Sequence, residues 1–523
     1  MSVSDPAADL REELRALERA YTIGHHGPGA ARRRAGLVDA CLVELFERAG
    51  SPAGVAILAI GGYGRMVQLP ASDIDVLVVH DDGAIETTVD ALLYPLWDAG
   101  LAVGHAVRTP AECLAATERF DAWTAMLDGR LVAGDETLAD RALAPVRARA
   151  REDPAGFARR LRDAAGARRE RFGSTAHLLE PDLKEGSGGL RDVASLGWLG
   201  AALETDLESA DVVRARERAA VDAAEAFLVR ARSAVQLLTG RRADRLVTEL
   251  QPDVAREMGF VDEPGLLATD GLMRSLFEHA RNVEHVTGLA VARAMAGTTG
   301  DPDVIADAAA ILEALADAAE RGEVPSVGLL DAIEDVTVPE RVAWDARTRA
   351  AFLRLLRSGE PGSAMFDVLD RVGLLARFLP PWAGVRCRPQ RDPYHRSTVD
   401  AHLLAAAARM AELLAGSGDA EDPIELAAHV ERPDALLLGA LLHDVGKIGT
   451  GGHVPIGTAI ARDTLDAMGM VGPDRDLAVF LVEQHLLLPD TATRRDLSDE
   501  DLLLDVAARI GTPERLGGLY LLA

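Results

Sequence analysis

The sequence predicts an α/β domain followed by mostly α-helical domains. Three observations carry that expectation. The 523 residues exceed what one ordinary hydrophobic core accommodates. Short apolar runs bounded by glycine are concentrated near the N-terminus, and from about residue 111 onward the helical period dominates. With 48% hydrophobic and 27% charged residues the chain has the balance of a folded protein and is too apolar for disorder.

Residues 8–50 place Leu10, Leu14, Leu17, Leu37, Val38, Cys41, Leu42 and Leu45 at helical spacing and break at Gly50-Ser51-Pro52. Residues 55–60 form an apolar run ending in Gly61-Gly62, and 74–79 form another, which suits two buried strands of a mixed sheet. Residues 89–99 read as an amphipathic helix closed by Gly100, and 101–107 as a third strand. The helical blocks that follow are interrupted by the polar glycine-rich passage 180–192 and by loops expected at 296–303 and 379–394.

There are 56 Lys plus Arg against 83 Asp plus Glu, a net charge of −27 that opposes a polynucleotide substrate but not a small nucleotide escorted by Mg²⁺. Only Lys184 and Lys447 are lysines; every other fixed cationic side chain is Arg. Cys41, Cys113 and Cys387 form no CxxC pair, and neither a signal peptide nor a membrane-length apolar run is visible, so a cytoplasmic location is expected.

Three constellations carry chemistry. In the first, Ile60-Gly-Gly-Tyr-Gly-Arg65 precedes Ser72-Asp73-Ile74-Asp75 between two expected strands. Glycines bring backbone N–H groups close to a triphosphate, and Ser72 adds a hydroxyl. Asp73 and Asp75, two apart on a strand, share a face and suit a Mg²⁺ site, with Mn²⁺ as a substitute. In the second, Lys184 and Arg191 lie within the glycine-rich passage and are expected to line the nucleotide side of the same cleft. The arginines of 232–245 receive no role, since helix-face ion pairs explain them as well. In the third, His443-Asp444 continues an apolar helical run, with Lys447 one turn on, His402 41 residues earlier and His485 42 later. Imidazole with carboxylate suits a divalent metal that activates water for attack on phosphorus, with Lys447 binding the phosphate.

GGYGR with SDIDVLVV resembles the nucleotidyltransferase domain of the bifunctional uridylyltransferase/uridylyl-removing enzymes that modify the PII nitrogen-regulatory protein. The passage EPDLKEGSGGLRD is similar to a signature of the same family, and HDVGK with the upstream YHRSTVDAH and His453 resembles its HD phosphohydrolase domain. The resemblance implies a DNA polymerase β-like nucleotidyltransferase domain over 1–150, an associated helical domain over 151–300, a connector over 301–385 and an HD domain over 386–523. It implies transfer of UMP from UTP to a tyrosine of PII, with Asp73 and Asp75 catalytic and metal-binding. It makes Gly61, Gly62, Arg65, Ser72, Lys184 and Arg191 nucleotide contacts. For the reverse hydrolysis it implies His402, His443 and Asp444 as metal ligands, with His453 and His485 accessory; Lys447 is the catalytic candidate there.

Departures shape the remaining expectations. Val67 and Gln68 replace an acid and a leucine of the family pattern. The third carboxylate of the superfamily is matched on the third strand only by His105, with Asp121 and Asp128 as downstream candidates. The chain stops at Ala523 before the late aspartate of HD domains and before glutamine-binding ACT repeats, so the expectation is a fragment or shortened homologue with weak or no removing activity. An adenylyltransferase using ATP, a tRNA nucleotidyltransferase with an HD domain, and a non-catalytic scaffold are the alternatives.

Overall fold

The computed structural model describes residues 5–20, 27–81, 85–296, 305–390, 397–417, 421–449 and 451–523. The expected loop segments 297–303 and 391–394, and the Tyr394-His395-Arg396 start of the third motif, lie outside the described residues. The chain divides into two compact units, residues 1–261 with 275–298, and 262–274 with 299–523. Among the described residues, no helix is long and apolar enough to cross a membrane.

The first unit is built on a four-stranded mixed sheet. Helices α1 (Pro6–Ala20) and α2 (Pro28–Arg48) precede β1 (Val55–Ala59), the single turn α3 (Gly61–Gly64), β2 (Ile74–His80), α4 (Glu86–Asp98) and β3 (Val103–Arg108). Helix α5 (Phe120–Leu127) leads into β4 (Arg130–Gly134), followed by α6 (Glu136–Glu152), α7 (Pro154–Phe172), α8 (Leu190–Leu203), α9 (Ala215–Thr239) and α10 (Ala268–Ala296), the last of which contributes residues to both units. The sheet order is β3-β2-β1-β4, with β1 antiparallel to β2 and β4 and β2 parallel to β3.

Because successive strand side chains alternate between faces, the continuous apolar runs feed two cores. Val55, Ile57, Ala59, Val76 and Val78 join α1, α2 and α4 on one side. Ala56, Leu58, Leu77 and Val79 join Trp123, Met126, Leu138 and Leu143 and the α8 residues Leu196 and Leu199 on the other. Odd positions of β2 therefore face α8, which sends Asp75 to that side.

Strand β4 departs from the reading in which the helical period dominates beyond about residue 111. Its five residues are an edge strand, partly exposed and set between helices, so no buried apolar alternation marks it. Pairing with β1, across a register irregularity at Ile57/Leu58, is what makes it a strand.

The second unit has no strand among its described residues. Its core combines α11 (Ala308–Glu320), α12 (Ala346–Arg357), α13 (Gly359–Arg371), α14 (Val399–Leu414), α15 (Pro433–Leu442), α16 (His453–Ala467), α17 (Gly472–Gln484) and α18 (Pro513–Leu522). Helix α15 is buried along its whole length from Ala435 to Leu442, as its unbroken apolar sequence requires.

Candidate functional site

The first two constellations meet in a cavity of about 620 Å³ in the first unit, lined among others by Gly61, Gly62, Arg65, Ser72, Asp73, Asp75, Lys184 and Arg191. Every residue expected to touch the nucleotide is therefore in one place. Asp75 lies on β2, whereas Asp73 sits one residue before it and is held by the loop rather than by the sheet. That loop is organised by Gln68, which is buried and donates from Nε2 to the carbonyls of Ser72 at 3.0 Å and Asp73 at 3.2 Å. The departure at Gln68 thus has a structural role.

The parallel register sets Asp75 opposite Gly104 on β3. A Cβ at Gly104 would stand 2.6 Å from Asp75 Oδ1, so the carboxylate occupies the space that glycine leaves. Burial and the neighbouring Asp73 push the Asp75 carboxyl above its ordinary range, although Lys184, Arg242 and Arg191 act against the shift.

The glycine-rich passage folds back on itself. Leu190 N donates to Leu183 O at 3.0 Å and Arg191 N to Lys184 O at 2.9 Å, which brings Lys184 and Arg191 together at the N-terminus of α8. Gly188 permits the turn with φ of +79°, and its Cα approaches Ala280 of α10 so closely that a Cβ would meet the Ala280 carbonyl oxygen at 2.4 Å. Arg191 is paired with Glu185 at 2.7 Å. Burial, with Arg232 and Arg191 nearby, lowers the Lys184 pKa. Lys184 lies 3.6 Å from the same Glu185, so one carboxylate serves both cations and a phosphate would add a second anion.

The candidates for a third carboxylate separate. His105 pairs in register with Val76, faces away from Asp75, is exposed and rests its ring 5.5 Å from that of Trp97, so it does not belong to the site. Alternation along β3 excludes it, as Gly104 takes the facing position. Asp121 lines the cavity and bonds Arg119 at 2.7 Å. The Asp128 carboxylate is shielded from solvent and bound to Arg65 and, at 3.0 Å, to the Trp198 indole, so it holds Arg65 in place. Among the lining residues with no role in the sequence reading are Arg232, which bonds Asp244 at 2.7 Å, and Arg242, which pairs with Asp73. Their signal was a run of arginines spanning the end of α9, which an ordinary ion-paired surface shares.

In the second unit, the third constellation closes around Asp444. His443 and Asp444 were expected on a helix, but α15 ends at Leu442 and the pair occupies the turn that follows. Gly446 causes this: its Cα packs so tightly against α16 that a Cβ would lie 2.1 Å from His453 O and 2.4 Å from Gly457 N. Lys447 likewise does not return to the imidazole. Its ammonium bonds Asp444 Oδ2 at 2.6 Å and the Gln390 amide oxygen at 2.9 Å. His402 lies on α14, whereas His485 caps the C-terminus of α17.

Two groups of donors share Asp444: His402 and His443 approach Oδ2 at 3.6 and 3.4 Å, while His453 and His485 approach Oδ1 at 3.4 and 3.6 Å. His443 Nδ1 donates to Ala440 O at 2.9 Å and His485 Nδ1 to Val482 O at 2.8 Å, which leaves both Nε2 lone pairs aimed at the carboxylate. Burial pushes the His485 imidazole down to about 4, so it is neutral and ready to ligate. Asp444 Oδ1 is buried without a hydrogen bond. Burial raises the Asp444 pKa, but His443 and Lys447 outweigh it and hold the carboxyl far below its usual range. A buried, ionised carboxylate with four imidazoles around it offers the nitrogen and oxygen donors that a divalent cation takes.

Comparison with known proteins agrees with both halves. Residues 156–291 match the family described as GlnD PII-uridylyltransferase, and residues 399–510 match the HD domain. A bifunctional uridylyltransferase/uridylyl-removing enzyme of Streptomyces coelicolor is 35% identical over 95% of this chain and 62% of its own length. Enzymes of the same name from Thiobacillus denitrificans and Phenylobacterium zucineum are 32% and 30% identical over 99% and 95% of this chain. The chain is similar to these enzymes over nearly its whole length. It spans 62% and 66% of the length of the first two relatives and 60% of the third. The first family match contains Lys184 and Arg191 of the cavity but not Gly61, Gly62, Asp73 or Asp75, and the second contains His402, His443, Asp444, His453 and His485.

Proposed function

We propose that the first unit transfers UMP from UTP to a tyrosine hydroxyl of a PII-type signalling protein and that the second removes it by hydrolysis, within the cytosol. The transferase would occupy residues 1–150 with 151–300 as its helical companion, and the hydrolase 386–523, joined through 301–385. The carrying observation is the convergence of Asp73, Asp75, the Gly61-Gly62 turn, Lys184 and Arg191 on one cavity.

In the transfer, the tyrosine oxygen bonds to the α-phosphorus of UTP, the bond to the bridging oxygen breaks, and pyrophosphate leaves while the phenolic proton goes to solvent. Gly61, Gly62 and Ser72 cradle the triphosphate, and Lys184 and Arg191 neutralise it. Asp73 and Asp75 would hold Mg²⁺, or Mn²⁺ in its place, which supplies charge neutralisation at the leaving oxygens. In the removal, water adds to phosphorus and UMP departs from the tyrosine. His402, His443, Asp444, His453 and His485 would hold divalent metal there, and Lys447 keeps the shared carboxylate ionised and stands beside the phosphate position.

Incubation with a PII protein, Mg²⁺ and either UTP or ATP, read by mass spectrometry, tests this. A gain of one UMP on the PII tyrosine is expected. A gain of AMP alone makes the enzyme an adenylyltransferase, and CCA addition to tRNA overturns the assignment.

A further inference from the structure

Arg242 lies on the turn after α9, two residues beyond Gly240, which ends that helix in the left-handed conformation with φ of +63°. It lines the transferase cavity and forms an ion pair with Asp73 Oδ2. The neighbouring arginines are bound elsewhere: Arg232 to Asp244, Arg191 to Glu185, Arg168 to Asp192 and Arg65 to Asp128. Arg242 therefore differs from them in its partner, a carboxylate of the aspartate pair.

The pair does little for the fold, since Arg242 is 54% and Asp73 32% exposed. Its placement is nonetheless firm. Leu183 N donates to Asp244 O at 2.8 Å and Leu246 N to Pro181 O at 3.0 Å, which ties the Arg242 turn to the glycine-rich passage. Ala71 N donates to Gln236 Oε1 at 3.0 Å, which ties α9 to the loop carrying Asp73. The guanidinium is thereby kept within reach of both the aspartates and the phosphate cradle.

We propose that Arg242 is a phosphate-binding residue of the transferase site, held on Asp73 until metal and triphosphate arrive together. This rests on the transferase reading above. A divalent cation and a guanidinium compete for the same carboxylate oxygen, so metal alone must displace Arg242. A displaced guanidinium beside a dication, with Lys184 and Arg191 already present, is relieved by a polyanion. The planar fork then bonds the β- and γ-phosphate oxygens, the group that departs as pyrophosphate. The exchange disfavours metal without nucleotide and separates triphosphate from monophosphate. No covalent step is added to the transfer.

The test is equilibrium binding to the whole chain of Mn²⁺ alone, of UTP with Mn²⁺, and of UMP with Mn²⁺, without PII. Mn²⁺ binding that survives Asp75→Asn is subtracted as belonging to the Asp444 cluster. In Arg242→Gln the affinity for Mn²⁺ alone is expected to rise and that for UTP with Mn²⁺ to fall, each about tenfold, while UMP binding stays unchanged. Arg242→Lys, which keeps the charge without the fork, is expected to fall between. A structural role would move all three affinities the same way. Arg242→Gln that binds UTP as wild type does, or binds Mn²⁺ no better, overturns the inference alone. Wild-type chain that binds no UTP with Mn²⁺ overturns the transferase reading and this inference with it.

Discussion

Asp128 shows how far burial alone moves a carboxyl. Its side chain is 6% exposed, and burial pushes it up to about 6 from an ordinary 3.8 despite Arg65 and the Trp198 indole. The folded chain thus holds the proton more tightly than the unfolded chain. The contribution of this group to stability is fully present below pH 3.8 and is lost as pH rises through about 6. Urea unfolding from pH 4 to pH 7 is therefore expected to show wild type losing stability relative to Asp128→Asn, by on the order of 2–3 kcal/mol. A constant difference across that range contradicts the assignment. Asp444 is the opposite case, where His443 and Lys447 overcome burial and the carboxyl stays ionised. The sequence shows both as aspartates near basic residues; only the packing distinguishes a retained proton from a retained charge.

At the scale of elements, the site depends on two close approaches. Gly104 on β3 leaves room for the Asp75 carboxylate, so Gly104→Ala is expected to reduce transfer by about 100-fold, read as UMP incorporated into PII. The stability loss should stay within about 1–3 kcal/mol, because the strand is otherwise unaltered. Helices α9 and α10 are joined by Glu217 and Arg293, both nearly fully buried, in a double hydrogen bond of 2.7 and 2.9 Å. Glu217→Gln leaves a buried guanidinium without its charge partner and is expected to cost about 3–5 kcal/mol in urea unfolding. Strands β1 and β2, which flank the first motif, were legible because buried strands demand continuous apolar runs. Strand β4 was not, since an exposed edge strand needs no such run. The end of α15 before His443 was also hidden, because it follows from the contact of Gly446 with a helix begun seven residues later.

At the scale of the whole molecule, each compact unit carries its own set of catalytic candidates, so the two activities should be separable. Asp75→Asn is expected to lower uridylylation of PII by at least about 100-fold while leaving release of UMP from modified PII unchanged. His443→Ala is expected to do the reverse. Chelation should stop both and Mg²⁺ or Mn²⁺ restore both, followed on PII by mass. Loss of both activities in either variant contradicts independent sites.

The sequence by itself singled out most of the candidate site residues and their order along the chain. Asp73, Asp75, Lys184, Arg191, His402, His443, Asp444 and His485 were all legible, because metal and phosphate sites restrict residue type and local spacing. Tertiary structure decided which distant groups complete them. It set Gly104 instead of His105 against Asp75, brought Arg242 onto Asp73, and placed His453 beside His485 around one shared carboxylate. Those choices depend on strand register and on the packing of helices remote in sequence, which local spacing does not encode.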